Sequence, residues 1–220
     1  MEEITGVLPK TSTPYCEFKQ NLGKVVSVKG AIHNIREMSD FAFILLRTAR
    51  ELIQCVYSPE FSDFRLDESI VEQASAKITG KVVKSETRDG SERFELQIHN
   101  IEILSLPADI PPVVISKKQI NCELSVNLDN RPVTLRNPKE RAIFKIQEGI
   151  ARGFREYLQS QNFTEIRSPK INFAGAEGGT NVFKLDYFGK TVYLAQSPQL
   201  YKQALVPVYE RVFEIAPVFR

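Results

Sequence analysis

Closely spaced strand-like segments between residues 23 and 105 constrain the fold of this chain more than any other feature. Residues 24–35 alternate apolar and polar side chains, with Gly30 suited to a bulge or a bend. The dense apolar run 41–48 is followed almost at once by 51–57, as in a tight hairpin. Two further strand-like segments, 76–85 and 92–104, flank a turn at Arg88-Asp89-Gly90. This spacing predicts a small β-barrel.

A helical pattern separates the third strand-like segment from the fourth. Leu66, Ile70 and Ala74 recur every four residues, and acidic residues lie near the start of this stretch. Five strands with a helix between the third and the fourth is the order of an OB-fold barrel. SH3-like barrels share much of this order, so periodicity alone leaves that alternative open.

Prolines end the strand pattern and divide the chain. Pro107, Pro111 and Pro112 predict a hinge, and the polar, irregular stretch that follows is typical of a linker. Asn137-Pro138 then predicts the start of a long helix, because Asn suits the N-cap and Pro the first turn. We therefore predict a barrel domain over 1–105, a linker over 106–136 and a second domain over 137–220.

The second domain mixes helices with strands. Apolar residues recur along the long helix and predict that one of its faces is buried: Ile143, Ile146, Ile150, Phe154 and Leu158. Further along the chain the pattern predicts a strand at 163–167, a loop at 174–181, a hairpin at 182–195, a helix at 198–206 and a strand at 211–219. Such a mixture is typical of an α+β fold with an antiparallel sheet.

Composition excludes several classes of protein. The 29 basic and 27 acidic side chains nearly balance, so any nucleic-acid-binding face must be local. Cys16, Cys55 and Cys122 are few and widely spaced, and His33 and His99 are the only histidines, which argues against a disulfide framework and against a metal site within this chain. Residues 1–19 lack the pattern of a signal peptide, and no apolar run is long enough to span a membrane. We expect a cytoplasmic protein.

The last forty-five residues carry the side chains that suggest chemistry. Ser197-Pro198 predicts a helix start, and it places Gln199 and Lys202 on one face of the first turns, where they could receive a carboxylate. Glu177 lies in a glycine-rich loop suited to a lid, and Arg220 follows an apolar strand and could bind a phosphate. Taken separately, these features also fit a capped surface helix and a solvated loop.

Two longer stretches resemble motifs of the class II aminoacyl-tRNA synthetases, specifically the aspartyl family of the eukaryotic and archaeal type. The residues from Gly153 through Ser168-Pro169-Lys170 resemble motif 1, in which a helix and a strand build a homodimer interface around the proline. Glu214-Ile215-Ala216-Pro217-Val218-Phe219-Arg220 resembles the first half of motif 2. The resemblance covers about residues 20 to 220 and implies an OB-fold barrel followed by the first part of the antiparallel-sheet catalytic domain.

The resemblance also implies roles for the residues of the C-terminal stretch. Glu177 would contact the ammonium of aspartate, while Gln199 and Lys202 would bind aspartate, with Lys202 holding its side-chain carboxylate. Arg220 would be the catalytic arginine, which binds both the α-phosphate of ATP and the carboxylate of the amino acid. Pro169 would lie in the dimer interface. An ammonium at position 202 favours aspartate over asparagine.

The resemblance implies an anticodon-binding face on the barrel. Phe41 and Phe43 share one side of their strand, and periodicity alone does not decide whether that side is core or surface. Arg36, Phe43 and Gln54 match positions that contact the anticodon, Phe43 by stacking and Gln54 through a base edge. Gln97 is the fourth residue assigned to the anticodon-binding face; it stands where many relatives have a glutamate on the last barrel strand, and its amide can both donate and accept.

The implied function is that of an aspartate–tRNA ligase with ATP, L-aspartate and tRNA(Asp) as substrates, Mg²⁺ as cofactor and a homodimer as the assembly. The rest of motif 2 and all of motif 3 are expected beyond Arg220, so these 220 residues alone are predicted to be inactive. The alternatives are an asparaginyl-tRNA synthetase, a tRNA-binding OB-fold protein without catalysis, and a class II asparagine synthetase, which the barrel disfavours.

Overall fold

The structure is a computed structural model that describes residues 12–86, 92–173 and 182–219. The chain divides into two compact units, Met1–Pro138 and Lys139–Arg220. Each unit has its own secondary structure.

The first unit is built on a closed five-stranded barrel. Its strands are β1 (Val25–Glu37), β2 (Ala42–Arg47), β3 (Leu52–Tyr57), β4 (Ser75–Glu86) and β5 (Glu92–Ser105), in the order β1-β2-β3-β5-β4. All neighbouring pairs are antiparallel except β3 with β5, which is parallel. The five predicted strands are confirmed, and the closed order is that of an OB-fold.

Alternation within the strands builds the barrel core. In β2, Ala42, Ile44 and Leu46 are buried, while Phe43 and Leu45 lie on the other face and are half-buried. The core is completed from the other strands and from the segment ahead of β1, by Phe18, Val28, Ile32, Ile53, Ile78, Val82, Leu96 and Ile98. The period of two therefore gives every strand one inner and one outer face.

β1 pairs with two different strands along its length. Its first half pairs with β4 and its second half with β2, and the register shifts between Ile32 and Asn34. Gly30 lies just before this register shift rather than within it. A Cβ at Gly30 would lie 2.5 Å from the carbonyl oxygen of Arg47, so the glycine allows the two backbones to approach closely.

The helix predicted at 66–74 is wrong. This stretch consists of turns and irregular backbone, although Leu66, Ile70 and Val71 still pack against the barrel core. The Asp67 carboxylate accepts hydrogen bonds from the amide and the hydroxyl of Ser69, and this local turn competes with a helix. Gln73 has a φ of 70°, which also breaks helical geometry.

The stretch predicted as an irregular linker contains two short helices, α1 (Leu124–Asp129) and α2 (Arg131–Thr134). Val113, Ile115 and Ile120 form a small buried cluster of their own, against which Cys122 and Val133 pack. The buried Asn137 amide donates hydrogen bonds to the carbonyl oxygens of Ile115 and Lys117. This part of the chain is therefore ordered by side-chain packing and hydrogen bonds.

The second unit combines two helices with short strands. These elements are α3 (Pro138–Ser160), β6 (Thr164–Glu165), β7 (Ile171–Asn172), β8 (Lys184–Tyr187), β9 (Lys190–Leu194), α4 (Gln199–Tyr209) and β10 (Val212–Phe213). β7, β9 and β8 form an antiparallel sheet, whereas β6 and β10 pair in parallel. The predicted long helix and hairpin are confirmed. The last strand is shorter than predicted and ends well before Pro217, which lacks a backbone donor.

The apolar stripe of α3 is exposed, contrary to the prediction that it is buried. Ile143, Ile146, Ile150 and Phe154 are each more than half exposed, and Leu158 is half-buried. Phe154 makes an edge contact with Phe213 of β10, at 6.3 Å between ring centroids. Amphipathic periodicity identified the face correctly, but no described part of this single chain covers most of it.

The close approach of β4 to β5 at Gly80 gives a test of the barrel geometry. A Cβ at this position would lie 2.1 Å from the carbonyl oxygen of Gln97, so Gly80→Ala forces two backbones apart. We expect the free energy of unfolding of the barrel to fall by about 2 kcal/mol or more, as in overpacked cores. Lys81→Ala, at the exposed neighbouring position, is the control for urea denaturation. Equal midpoints for the two variants would contradict this geometry.

Candidate functional site

The outer face of the barrel brings three of the predicted anticodon-binding residues into one row. Arg36 on β1 pairs with Phe43 on β2, Phe43 pairs with Val56 on β3, and Val56 pairs with Gln97 on β5. Neighbouring strands lie about 4.8 Å apart, so side chains in such a row are adjacent. Arg36 is exposed, while Phe43 and Gln97 are half-buried.

A second row runs beside the first. Asn34 pairs with Leu45 and Leu45 with Gln54, the fourth predicted anticodon-binding residue. The Gln54 side-chain nitrogen donates a hydrogen bond of 2.7 Å to the carboxylate of Glu95 on β5. The four predicted residues therefore share one face of the barrel.

Glu95 is a residue of this face that sequence reasoning missed. Gln97 was taken to stand where a glutamate is expected on the last barrel strand, yet this face of β5 does carry a glutamate two residues earlier. Leu96 and Ile98 are buried, so Glu95 and Gln97 must both point outward. The period of two in β5 was therefore the signal that could have found Glu95.

Two aromatic rings lie at the edge of this face. Phe41 is 39% exposed and stands edge-on to Phe43, with 5.2 Å between the ring centroids and 84° between the planes. The open question of whether these rings are core is thereby settled, because the buried face of β2 consists of Ala42, Ile44 and Leu46. Aromatic rings on an outer barrel face can stack on unpaired bases.

The polar groups of this face suit the reading of a base edge. The bond from Gln54 to Glu95 fixes the orientation of the amide, so its donor and acceptor sides are defined. Arg36 adds a permanent positive charge that suits a phosphate. Burial, together with the nearby Glu95 carboxylate, raises the pKa of the Cys55 thiol beneath this face, so Cys55 stays protonated and unreactive.

In the second unit, the first turn of α4 presents the predicted aspartate-binding residues. The Ser197 hydroxyl accepts a hydrogen bond from the backbone amide of Gln199, and the backbone amide of Lys202 donates to the Pro198 carbonyl. Gln199 is exposed and Lys202 is half-buried. Among the described residues no carboxylate pairs with the Lys202 ammonium. Glu177 and Arg220, the other two predicted ligands, lie outside the described residues.

Ala195 connects the segments around α4. Its amide donates to the Lys170 carbonyl at 2.9 Å, and its carbonyl accepts from the Phe219 amide at 3.0 Å. Ala195 is buried and directly precedes Gln196, Ser197 and Pro198 at the start of the helix. Phe219 is the residue before Arg220. The backbone of Ala195 thus lies between the segment of Lys170 and the segment that leads to the predicted catalytic arginine.

Glu214 is a carboxylate of this unit that contacts three donors. It accepts from the Ser168 amide at 2.8 Å, from the Ser168 hydroxyl at 2.7 Å and from the Lys170 ammonium at 2.9 Å. Its side chain is only 2% exposed. Burial by itself raises the pKa of Glu214, but the bonds from Ser168 and Lys170 outweigh it and lower the pKa below its usual value. Pro169, between these two partners, is exposed.

No described group of three or more His, Cys, Asp or Glu side chains is arranged to hold a metal ion. Within the same residues, no helix combines the length and apolar character needed to cross a bilayer.

The Glu214 cluster predicts a pH dependence of stability. Because its pKa is lowered in the folded state, Glu214 stabilises the fold above its unfolded pKa of about 4.3 and loses this contribution as the pH falls through the folded pKa. We expect Glu214→Gln to lower the free energy of unfolding by about 2 kcal/mol at pH 7, with the difference from wild type shrinking towards pH 3.

Urea denaturation across this pH range measures the difference, and Glu148→Gln is the control. Glu148 is exposed and its described ion pair is with the exposed Lys145, so its loss should change stability much less. A difference between wild type and Glu214→Gln that grows towards acid pH would contradict the assignment.

Two family models match the chain. Residues 26–104 match the family described as OB-fold nucleic acid binding domain, and residues 123–220 match tRNA synthetases class II (D, K and N). The two matches follow the order of the barrel and the second unit.

Individual relatives span nearly the whole chain. An aspartate–tRNA(Asp/Asn) ligase of Deinococcus radiodurans is 42% identical over 99% of this chain and 47% of its own length. The Thermus thermophilus ligase of the same name is 40% identical over 93% of this chain and 46% of its own. The chain therefore spans about half the length of the curated relatives it matches.

A solved structure shares the fold. Asparaginyl-tRNA synthetase from Pyrococcus horikoshii, complexed with asparaginyl-adenylate, superposes with a TM-score of 0.77 and 26% identity, covering 91% of this chain and 46% of that one. The closed barrel agrees with the OB-fold match, and the second unit lies within the synthetase match. Over residues 123–220 the chain is similar to the class II tRNA synthetases of the D, K and N group, and over residues 26–104 it is similar to OB-fold nucleic-acid-binding domains.

Proposed function

We propose that this chain is part of an aspartate–tRNA ligase, which activates L-aspartate with ATP and transfers it to tRNA(Asp). The observation that carries the proposal is the similarity to an aspartate–tRNA(Asp/Asn) ligase, at 42% identity through both units. Two separate features support it: the barrel face of Arg36, Phe43 and Gln54, and the half-buried Lys202 on α4. Such a reaction would take place in the cytoplasm with the rest of protein synthesis.

The choice of aspartate rests on Lys202. A half-buried ammonium gains a charge-assisted hydrogen bond from a carboxylate, whereas an amide offers it a weaker neutral acceptor and an unwanted donor. The nearest competing function is that of an asparaginyl-tRNA synthetase, because such an enzyme shares the fold. The charge at position 202 favours the aspartate enzyme.

The chemistry requires positioning and charge rather than a protein nucleophile. The aspartate α-carboxylate attacks the α-phosphorus of ATP, forming aspartyl-adenylate and releasing pyrophosphate. A hydroxyl of the terminal tRNA ribose then attacks the activated carbonyl and releases AMP. Glu177 would hold the substrate ammonium, Gln199 and Lys202 the rest of aspartate, and Arg220 the reacting phosphate and carboxylate. ATP reaches the enzyme with Mg²⁺ as its counter-ion.

The tRNA partner would meet the outer face of the barrel. The anticodon is a single-stranded loop, and proteins read such loops by splaying out the bases, stacking on them and bonding to their edges. Phe43 would supply the stacking surface, and Gln54, held by Glu95, would meet a base edge. Gln97, in the row of Arg36 and Phe43, would add a donor and an acceptor at the rim.

A homodimer through α3 and Pro169 is part of the proposal. The apolar stripe of α3 is exposed in the single chain, and Pro169, nine residues after the end of α3, is exposed too. A second copy would bury these side chains at about 25 cal/mol per Å² of apolar area. This would explain why a pattern typical of a buried helix face lies at the surface of one chain.

A tRNA-binding protein without catalysis is the second candidate, since the barrel face could act alone. Aspartate-dependent exchange of pyrophosphate into ATP separates the two functions, because only the ligase supports it. The assay uses the full-length product of the gene that encodes this chain. Exchange with asparagine instead of aspartate would favour the asparaginyl enzyme.

We predict that Lys202→Met lowers aspartate activation by at least about 100-fold, since it removes the charged partner of the substrate side chain. Affinity for tRNA should not change. Lys190→Met, at an exposed position on β9, is the matched control and should keep wild-type exchange. Wild-type kinetics in the Lys202 variant would refute the role of this residue.

We predict that Phe43→Ala weakens binding of an anticodon stem–loop RNA by about 1–3 kcal/mol, the worth of one stacked base. Fluorescence anisotropy of labelled tRNA(Asp) and tRNA(Asn) stem–loops measures the loss and shows which anticodon is preferred. Leu104→Ala, at an exposed position near the end of β5, is the control. Equal affinities for the two variants would contradict the proposed interface.

A further inference from the structure

Three separate segments of the second unit meet at a small set of hydrogen bonds. The segments are 164–170, 194–199 and 212–219, and they are linked through Lys170, Ala195 and Phe219 as described above. Between them they carry Pro169, the start of α4 with Gln199 and the residue before Arg220. The relative placement of these segments decides where the proposed aspartate and ATP ligands lie.

Regular strand pairing holds the first and third segments together only weakly. β6 and β10 pair over two residues, Thr164 with Val212 and Glu165 with Phe213. The Ile166 amide extends this pairing by one bond to the Phe213 carbonyl. Beyond that point, the described backbone–backbone bonds do not join the two segments directly.

Beyond the last paired residues, the Glu214 side chain connects the two segments. Its carboxylate binds the backbone amide and hydroxyl of Ser168 and the ammonium of Lys170, so one side chain spans three residues of the neighbouring segment. The Lys170 ammonium also donates to the Ser168 hydroxyl at 2.9 Å, which closes the cluster. A buried carboxylate with three donors is a rigid contact, because each donor fixes it in a different direction.

We propose that Glu214 is a positioning residue for the aspartate and ATP site, acting through Ser168, Lys170 and Ala195. It fixes Lys170 against the segment that leads from β10 to Arg220, and the Lys170 carbonyl in turn accepts a hydrogen bond from Ala195, four residues before the start of α4. The inference rests on the proposed function, whose ligands lie on the segments that this carboxylate ties together. Glu214 itself does not touch substrate in this account.

Glu165 is a second ion-paired carboxylate near Glu214 and serves as the comparison. Glu165 binds Arg155 at 2.8 Å and Arg167 at 3.1 Å, so it anchors the end of β6 to α3 and to the segment that follows. Arg167 also donates to the Ile215 carbonyl at 3.4 Å, but the described contacts of Arg155 and Arg167 do not include Lys170 or Ala195. Glu165→Gln therefore removes an ion-paired carboxylate from the same small sheet and leaves the chain of contacts through Lys170 intact.

The test compares Glu214→Gln with Glu165→Gln in the full-length gene product. We expect Glu214→Gln to lower kcat/KM for aspartate in pyrophosphate exchange by about 10- to 100-fold, the cost of a misplacement of about 1 Å. The KM for aspartate and for ATP should both rise, at a temperature where the variant is folded by circular dichroism. Glu165→Gln should keep the wild-type KM values, and anticodon stem–loop binding should be unchanged in both variants.

Two further measurements distinguish positioning from simple loss of stability. Hydrogen exchange at the Ala195 and Phe219 amides should accelerate in Glu214→Gln and not in Glu165→Gln. In a double-mutant cycle, Ser168→Ala should add little to the KM effect of Glu214→Gln, because the two residues act as one unit.

The outcomes also separate this inference from the proposed function. A wild-type protein that activates no aspartate would overturn the proposed function, whatever the amide exchange. Wild-type activity together with equal KM values, or equal amide exchange, in the two glutamine variants would overturn the positioning role alone.

Discussion

The period of two along the barrel strands is the constraint on which the first unit depends. One face of β2 must fill the core with Ala42, Ile44 and Leu46, so the other face is released to carry Phe43 and its neighbours. Pairing across β1, β2, β3 and β5 then brings side chains distant in sequence into two rows. The same alternation that closes the hydrophobic core therefore assembles the surface proposed to read an anticodon.

The second unit depends on polar contacts to a greater degree. Its strands are short, and the parallel pair β6 and β10 covers only two residues. The Glu214 carboxylate compensates by joining residues that the sheet does not pair. Removing its partners would leave a buried charge unsatisfied, so the cluster favours one arrangement of the segments over others. A ligand site assembled from loops and helix starts requires such a constraint, since none of its elements is long.

Local patterns predicted most of the elements because each depends on neighbours in the chain. The five barrel strands, the start of α3 at Pro138 and the hairpin of β8 and β9 followed from alternation, Pro chemistry and turn residues. The helix expected at 66–74 failed because the Asp67–Ser69 turn and the positive φ of Gln73 outweigh a weak apolar spacing. Periodicity identified the apolar face of α3, but it cannot predict whether another part of the same chain covers that face, and here most of the face is exposed.

The sequence by itself determined the order of the two units, the inner and outer faces of the barrel strands and the resemblance that named the candidate ligands. Only the tertiary structure decided that Arg36, Phe43, Gln54 and Gln97 lie on one face, that Glu95 holds Gln54, and that Glu214 joins Ser168 to Lys170. The reason is physical. Alternation and capping act over a few residues, whereas strand register and buried hydrogen bonds join residues about forty or more positions apart, at distances that only the folded chain sets.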